Sequence, residues 1–570
     1  MAFSGGTRII FCNVPIDNSY KHQFTFTTQS QQETYFDNKK LYEKENYLMV
    51  HRTNETKNRQ YMRVYLSLDD VRKCNYCAYF NQSAELAIDD KWIYAFITDY
   101  FYKSDEVTEI EIEVDVWNTY QKDISIKHCL IEREHTNNDT IGENVLPENV
   151  DIGDYITTAK KDVTFLKSWC VLIGSTVFLE ESLNFSESTC SFQDNKVTGL
   201  QYYAYDVEVT SGGALAALNT DIERLNTAGK IDALEFMIMF PTYFLKVGNL
   251  PWSTTERNRI LETETGYMFW SANRNKALDF SSPSTNAHYV PKNNKLYTFP
   301  YTFLYLTNNE GNYSALKYER FFGNKGLSFR INTILSSDPR MICFPENYNG
   351  EIGNTLDDEN EDDTVIYNGN TEEGVVISNF PICDWAKNTV LNWFANNNMQ
   401  LALNTISSIM QIAGGVALSS TAAGALSGAS QISAGALGLG GVLADVHTAK
   451  IQPPQARGGA GGGSLNLRLD NLNFSFYNKS ISYVNARIID DYFTKYGYKT
   501  YRLKTPNITG RKFWNYVKTN DCIITGNIAN DEKNKIMQMF NDGVTFWHYA
   551  NDGSTTDFHV GDYSLENEIV

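Results

Sequence analysis

A chain of 570 residues, 42% hydrophobic and 21% charged, is too long for one hydrophobic core and should divide into two to four domains. Its formal charge of −19 argues against a DNA-binding protein, which needs a basic face to gain from counterion release, but does not exclude a protein that DNA passes without adhering. The 35 Tyr and 32 Phe set against 13 Pro point to a strand-rich fold, because aromatic side chains suit half-buried pleated surfaces.

Nine cysteines, at 12, 74, 77, 129, 170, 190, 343, 383 and 522, form an odd, scattered set with a single CxxC at Cys74 and Cys77. A zinc site needs two further ligands, and no second CxxC or paired histidine supplies them. Buried free thiols made in a reducing cytoplasm are expected instead. The opening MAFSGGTRIIFCNVP has no basic stretch followed by an apolar run, so neither a signal peptide nor export by the usual route is expected.

The first 135 residues read as strands: RIIFCNV (8–14), HQFTFTT (22–28), NYLMVHR (46–52), YMRVYLSL (61–68), KWIYAFITDYFYKS (91–104) and EIEIEVDVWNTY (109–120). In EIEIEVDV, Ile110, Ile112, Val114 and Val116 face one way, and Glu109, Glu111, Glu113 and Asp115 the other. That alternation predicts a strand with a water-facing or channel-facing side rather than a metal site. Farther on, ALAALNTDIERLNTAG (214–229) predicts a helix closed by Gly229, while LEFMIMFPTYFLKV (234–247) and KLYTFPYTFLYLTN (295–308) are apolar strand candidates. TLDDENEDDTVIYNGNTEEG (355–374) clusters carboxylates without the Asp-x-Asp-x-Asp-Gly order of a calcium loop, and reads as a solvated surface loop. Near the end, LNLRLDNLNFSFYNKSISYVNARIIDDYFTKYGY (465–498) predicts strands running into a helix that stops at Gly497. Strand CIITGNI (522–528), helix DEKNKIMQMFNDG (531–543) and strand VTFWHYAN (544–551) follow.

No catalytic motif stands out: there is no GxGxxG after a strand, no P-loop, no HExxH and no GxSxG. Glu134-His135 lacks the second histidine of a zincin, and His548, set among aromatics, reads as a satisfied core or edge residue. No catalytic residue, metal ligand or cofactor is expected, although a carboxylate pair of a glycosidase has no sequence signature to exclude.

One segment does not match its surroundings. Between Lys387 and Asp445 run 57 consecutive uncharged residues, the second half almost purely Ala, Gly, Ser and Leu. Trp385, Val390, Trp393 and Phe394 lead in at near-helical spacing. Ile406, Ile409, Met410, Ile412, Val416, Leu418, Leu426, Ile432, Leu437, Leu439, Val442 and Leu443 are too many large apolar groups to leave free in water. Pro453 and Pro454 stop any helix, and Gly458, Gly459, Gly461, Gly462 and Gly463 make a mobile hinge. As helix the segment would reach roughly 85 Å, against about 20 residues for one bilayer crossing, so it is long enough for a hairpin. Gly424 and Gly428 form a GxxxG that lets helices approach closely in lipid. The composition predicts a segment that is packed while soluble and membrane-active once released, with an ordered plug or interface loop as the alternative.

Particular stretches are familiar. KWIYAFIT (91–98), IEVDVWNTYQKDI (112–124) and LIEREH (130–135) resemble the N-terminal part of the tail knob proteins of small short-tailed, picovirus-like podoviruses of Gram-positive bacteria. YGYKTYRLKTPNITGRKFWNYVKTNDCIITGNI (496–528), MFNDGVTFWH (539–548) and YSLENE (563–568) resemble their C-terminal part, in the same order. The middle, about 140–385, carries no such match.

The resemblance implies a mainly β fold with some helix, in a virion protein at the phage tail tip. It implies a tube-forming β domain built from residues 1–140 and 465–570, middle β-rich domains over 141–385, and an Ala/Gly-rich hydrophobic loop with its hinge over 386–464. In that family the knob is a hexameric tube that conducts the genome. Its loop plugs the lumen and is expelled on infection to penetrate the host membrane. Implied partners are therefore five further copies of the chain, other tail proteins, double-stranded DNA in transit without specific binding, and the host cell membrane. Synthesis would be in the host bacterial cytoplasm. The alternatives are an adhesin for cell-wall carbohydrate and a wall hydrolase.

Overall fold

The computed structural model describes residues 7–47, 60–81, 91–163, 169–180, 185–187, 189–192, 195–206, 214–263, 266–270, 280–281, 288–309, 311–321, 327–335, 340–345, 348, 374–377, 382–383, 474–551 and 556–570. The chain is mainly β. It divides into two units, one made of Met1–Gly153, Tyr289–Thr298 and Tyr483–Val570, the other of Asp154–His288 and Phe299–Ser482.

Two large sheets form most of the first unit, beside the short pairs Ile124–Ile126 with Ile524–Gly526 and Ala550–Asn551 with Thr556–Asp557. The larger has six antiparallel strands in the order Lys40–Tyr47, Thr7–Cys12, Tyr76–Asn81, Trp92–Ser104, Val107–Val114, Gln60–Val64. Its central strands are buried on both faces. Ile10, Tyr76, Ala78, Tyr94 and Phe96 turn toward the second sheet, whereas Ile9, Cys77, Tyr79, Ala95 and Ile110 form a separate core on the opposite side. Burial on both faces removes the polar alternation, which is why YCAYFN was not among the expected strands.

The second sheet has the order His22–Thr25, Val544–His548, Trp514–Asn520, Cys129–Glu134, Tyr498–Lys504. The first pair is parallel and the others antiparallel. Phe24, Trp514 and Trp547 face the larger sheet across a core that also takes in Tyr35 and Phe36 of helix Gln29–Lys39. That helix lies in a stretch expected to be all strand and connection. The Thr28 side chain accepts from the Gln31 amide and the Gln31 side chain from the Thr27 amide, so the signal was the Thr-x-x-Gln capping pair.

Strand Val107–Val114 corrects a second expectation. Glu109 pairs with Arg63 and Lys103 at 2.9 Å, and Glu113 with Lys535 at 3.2 Å, but Glu111 is buried. Asp115, expected to face water, is fully buried and leaves the strand altogether. It caps the short helix Val116–Tyr120, accepting from the amides of Trp117 and Asn118 at 3.1 Å, from the Tyr76 hydroxyl at 2.8 Å and from Asn118 Nδ2 at 2.7 Å.

The second unit contains a five-stranded sheet, Asn258–Ile260, Gln201–Asp206, Trp169–Ser175, Leu234–Pro241, Ile382–Cys383. The expected helix is Ala214–Thr227, and it buries Leu218, Ile222 and Leu225 before Gly229 turns the chain at φ +67°. A four-stranded sheet runs Tyr155–Asp162, Ser475–Ile481, Thr302–Thr307, Tyr313–Leu316, and another Gly266–Trp270, Leu327–Ile334, Arg340–Pro345, Val375–Ile377. Two placements differ from the expected boundaries. Strand Ser475–Ile481 pairs inside the second unit, and residues Tyr289–Thr298 fold into the first. In the expected strand 295–308 a 3-10 turn over Asn294–Tyr297 precedes Pro300, and the strand proper is Thr302–Thr307.

Candidate functional site

The twelve apolar residues from Ile406 to Leu443 and the hinge from Pro453 to Gly463 lie outside the described residues, as do 355–373 of the carboxylate-rich run. Ile382–Cys383 precedes the apolar segment and Ser475–Ile481 follows it.

The stretches singled out at the two chain ends are physical neighbours. CLIERE (129–134) inserts between YKTYRLK (Tyr498–Lys504) and Trp514–Asn520, pairing Glu134 with Tyr498 on one side and with Val517 on the other. At the far edge His22 and Gln23 pair in parallel with Thr545 and Phe546. Gly497 makes the interlock possible. Its φ is +63°, and a Cβ there would run into the backbone carbonyl of Glu134.

The histidines at this junction are structural. His135 accepts the Tyr516 amide at Nδ1 (2.7 Å), which leaves Nε2 to donate to the Thr494 carbonyl at 3.1 Å. Burial, helped by nearby Arg511, pushes its pKa down to about 3. His548 sits beside Asn515 Oδ1 at 3.1 Å, and burial lowers it to about 4. Both rings are neutral at pH 7 and pin strands together. Cys12, Cys74, Cys77, Cys129, Cys170, Cys343 and Cys522 are free, buried thiols. Among the described residues no cluster of three or more His, Cys, Asp or Glu is arranged to hold a metal, and no helix is long and apolar enough to cross a membrane.

A feature the sequence reading missed is the clasp that holds residues 289–298. Asp490, buried on helix Tyr483–Tyr496, accepts from the Tyr289 hydroxyl at 2.6 Å, the Lys292 amide at 2.7 Å, the Asn293 amide at 3.0 Å and Asn293 Nδ2 at 2.8 Å. Asp139 takes the Tyr498 hydroxyl at 2.5 Å and the Asn294 amide at 3.2 Å. Burial raises its pKa against the pull of those donors. Glu148 binds Lys295 Nζ at 2.5 Å and also meets Arg133, and burial lowers the Lys295 pKa even with that carboxylate beside it. Asp490 was findable. It shares the buried helical stripe of Ala486, Ile489 and Phe493, and a carboxylate in an apolar stripe demands partners.

Apolar groups stand exposed on the same unit. Leu503 is 74% exposed and Tyr501 51% on edge strand Tyr498–Lys504, and Ile488 is 62% exposed one helical turn from Val484. The edge strand is bulged between Lys499 and Arg502, with Tyr501 at φ +42°.

Comparison with known proteins draws these observations together. Residues 269–568 match the family model for the C-terminal domain of tail knob protein gp9 of Bacillus phage phi29. The chain belongs to this tail knob family. Residues 4–125, which carry the six-stranded sheet, match the N-terminus of caudoviral major tail proteins. Over 620 aligned residues the chain is 24% identical to tail knob protein gp9 of Bacillus phage phi29 and 25% identical to that of Bacillus phage PZA, covering 99% of both partners each time. The tail knob protein gp12 of bacteriophage C1 shares the fold at a TM-score of 0.58 and 15% identity, over 99% of this chain and 100% of that one. As a member of the tail knob family the chain is a structural component of the virion tail.

Proposed function

We propose that six copies of this tail knob protein form a tube through which the genome leaves, and that the protein works without catalysis. Residues 388–450 plug its lumen and are released to enter the host membrane. The observation that carries the reading is a full-length likeness to tail knob proteins combined with 57 uncharged residues inserted in an acidic chain. The tube-forming part would be the unit built from both chain ends. Closing its sheet edges through neighbouring copies would cover Leu503 and Tyr501, which a lone subunit leaves in water. A net charge of −19 per chain favours a wall that repels DNA, so the genome slides rather than binds.

Electron microscopy of the purified protein should show six-fold rings with a closed lumen, and sedimentation should show no monomer at micromolar concentration. Intact rings should leave dye-loaded liposomes sealed, and mild acid, which protonates the carboxylates, should start leakage. The double variant Leu418→Asp with Leu437→Asp should keep the ring but leak little, because each buried charge costs on the order of 3 kcal/mol at mid-membrane. Equal leakage from the variant would assign membrane penetration to another protein and leave the segment as a plug only.

A further inference from the structure

The sheet Tyr155–Asp162, Ser475–Ile481, Thr302–Thr307, Tyr313–Leu316 of the second unit carries a cationic, aromatic outer face in an acidic chain. Its inner face is ordinary core: Leu304, Leu306 and Phe476 are fully buried. On the outer face the register places Lys160, Tyr477 and Tyr305 in one cross-strand row, and Thr157, Lys479 and Phe303, the last buried beneath Tyr155 and Phe299, in the next. Tyr313, 63% exposed, stacks on Tyr305 with ring centres 5.0 Å apart and planes 22° apart, and Tyr477 meets Tyr305 edge-on at 6.2 Å. The result is a ladder of three tyrosines across three strands.

Ammonium groups line this ladder. Lys479 Nζ lies 5.5 Å from the Tyr477 ring centre and 5.8 Å from that of Tyr305, anchored by Thr157 Oγ1 at 2.7 Å. Lys160 lies 5.6 Å from Tyr477 and pairs with Asp162 at 3.0 Å. Beyond Phe303, Phe299 carries Lys317 over its ring at 4.6 Å. Three cations thus accompany two carboxylates, Asp162 and the Glu319 that accepts the Phe299 amide, a cationic excess in a chain that is acidic as a whole.

We propose that this face binds an anionic glycan, with sugar rings laid against the tyrosine ladder and phosphate or carboxylate groups held by Lys479 and Lys160. Tyrosine offers a flat apolar body with a polar tip, which suits a sugar ring edged with hydroxyls. The ammoniums act as point charges for isolated anionic groups. Nucleic acid fits less well. Counterion release grows with the number of phosphates neutralised, and three ammoniums beside two carboxylates in a −19 chain neutralise few.

The test uses the assembled full chain and four probes: glycosylated poly(glycerol phosphate), hyaluronan oligosaccharides, uncharged dextran and a thymidine oligonucleotide. Binding to at least one of the two anionic glycans is expected, weakening with salt, with dextran inactive, and the two anionic probes distinguish phosphate from carboxylate recognition. Tyr313→Ala and Lys479→Gln, made separately so that either decides if the other misfolds, should each weaken it about tenfold, the equivalent of one lost ring contact or charged contact. The proposal is overturned if neither anionic glycan binds, if both variants bind like the parent, or if the oligonucleotide binds more tightly. It is equally overturned if the variants disrupt the assembly, which would make the face a contact between copies.

Discussion

Replacing Asp490 by Ala should loosen the first unit. Four donors converge on this buried carboxylate: the Tyr289 hydroxyl, the amides of Lys292 and Asn293, and Asn293 Nδ2, at 2.6 to 3.0 Å. Hydrogen bonds to a charged acceptor contribute roughly 1.5–3 kcal/mol each, but they are not additive, and Lys292 and Asn293 retain some access to water that replaces part of the loss. Breaking a buried charged network costs about 3–5 kcal/mol, so about 4 kcal/mol is expected for Asp490→Ala. For a unit of this size each kcal/mol lowers the melting temperature by about 2–4 °C, which predicts a fall of about 10 °C in its calorimetric transition. Hydrogen exchange at residues 289–298 should accelerate in step, because that segment loses its anchor. Asp491→Ala, next to it but exposed, is the control and should change stability by no more than about 0.5 kcal/mol. If Asp490→Ala melts within about 1 kcal/mol of the parent with protection at 289–298 intact, the clasp does not hold that segment.

Two further outcomes follow from the same unit. Burial, only partly opposed by its hydrogen bonds, raises Asp115 from the usual carboxylate value to about 6, so between about pH 4 and 6 the folded state holds a proton that the unfolded state has lost. Stability should therefore fall with rising pH through that window, by up to about 3 kcal/mol from this group. Subtracting the urea-unfolding curve of Asp115→Asn from that of the parent should isolate the fall, and a flat difference would refute the assignment. Gly497→Ala places a Cβ against the Glu134 backbone at φ +63°, where no flexible side chain can move aside, and should cost more than about 3 kcal/mol in thermal unfolding. Gly229→Ala, at φ +67° with nothing within 4 Å, should cost only about 1 kcal/mol, separating backbone strain from collision.

Legibility followed local physics. The helices Ala214–Thr227, Tyr483–Tyr496 and Asn530–Asp542 were readable because each buries one stripe and ends at or near a glycine with positive φ. Strands Trp92–Ser104 and Val107–Val114 were readable from alternation and apolar runs. Tyr76–Asn81 was not, because a strand covered on both faces shows no alternation, and the polar edge strand Lys40–Tyr47 was not, because charge there resembles a loop. Asp115 was misread because a cap one residue past a strand continues its period-2 pattern up to the residue where the backbone turns away. The clasp was invisible for a different reason. Asp139, Glu148, residues 292–295 and Asp490 are separated by up to some hundreds of residues, and only the fold brings them together.

The same long-range pairing bears on the apolar segment. Its flanks are strands of the second unit rather than loose chain: Ile382 pairs with Ile238 in the five-stranded sheet, and Ser475 pairs with Asp162 and Thr307 in a four-stranded one. Register in a sheet with one buried face resists slipping, since a shift of one residue would turn the buried Phe476 outward. Both registers are therefore fixed by packing outside residues 384–473. Because loop-closure entropy grows only slowly with length, an insertion of this size adds little to the cost of pairing its flanking strands.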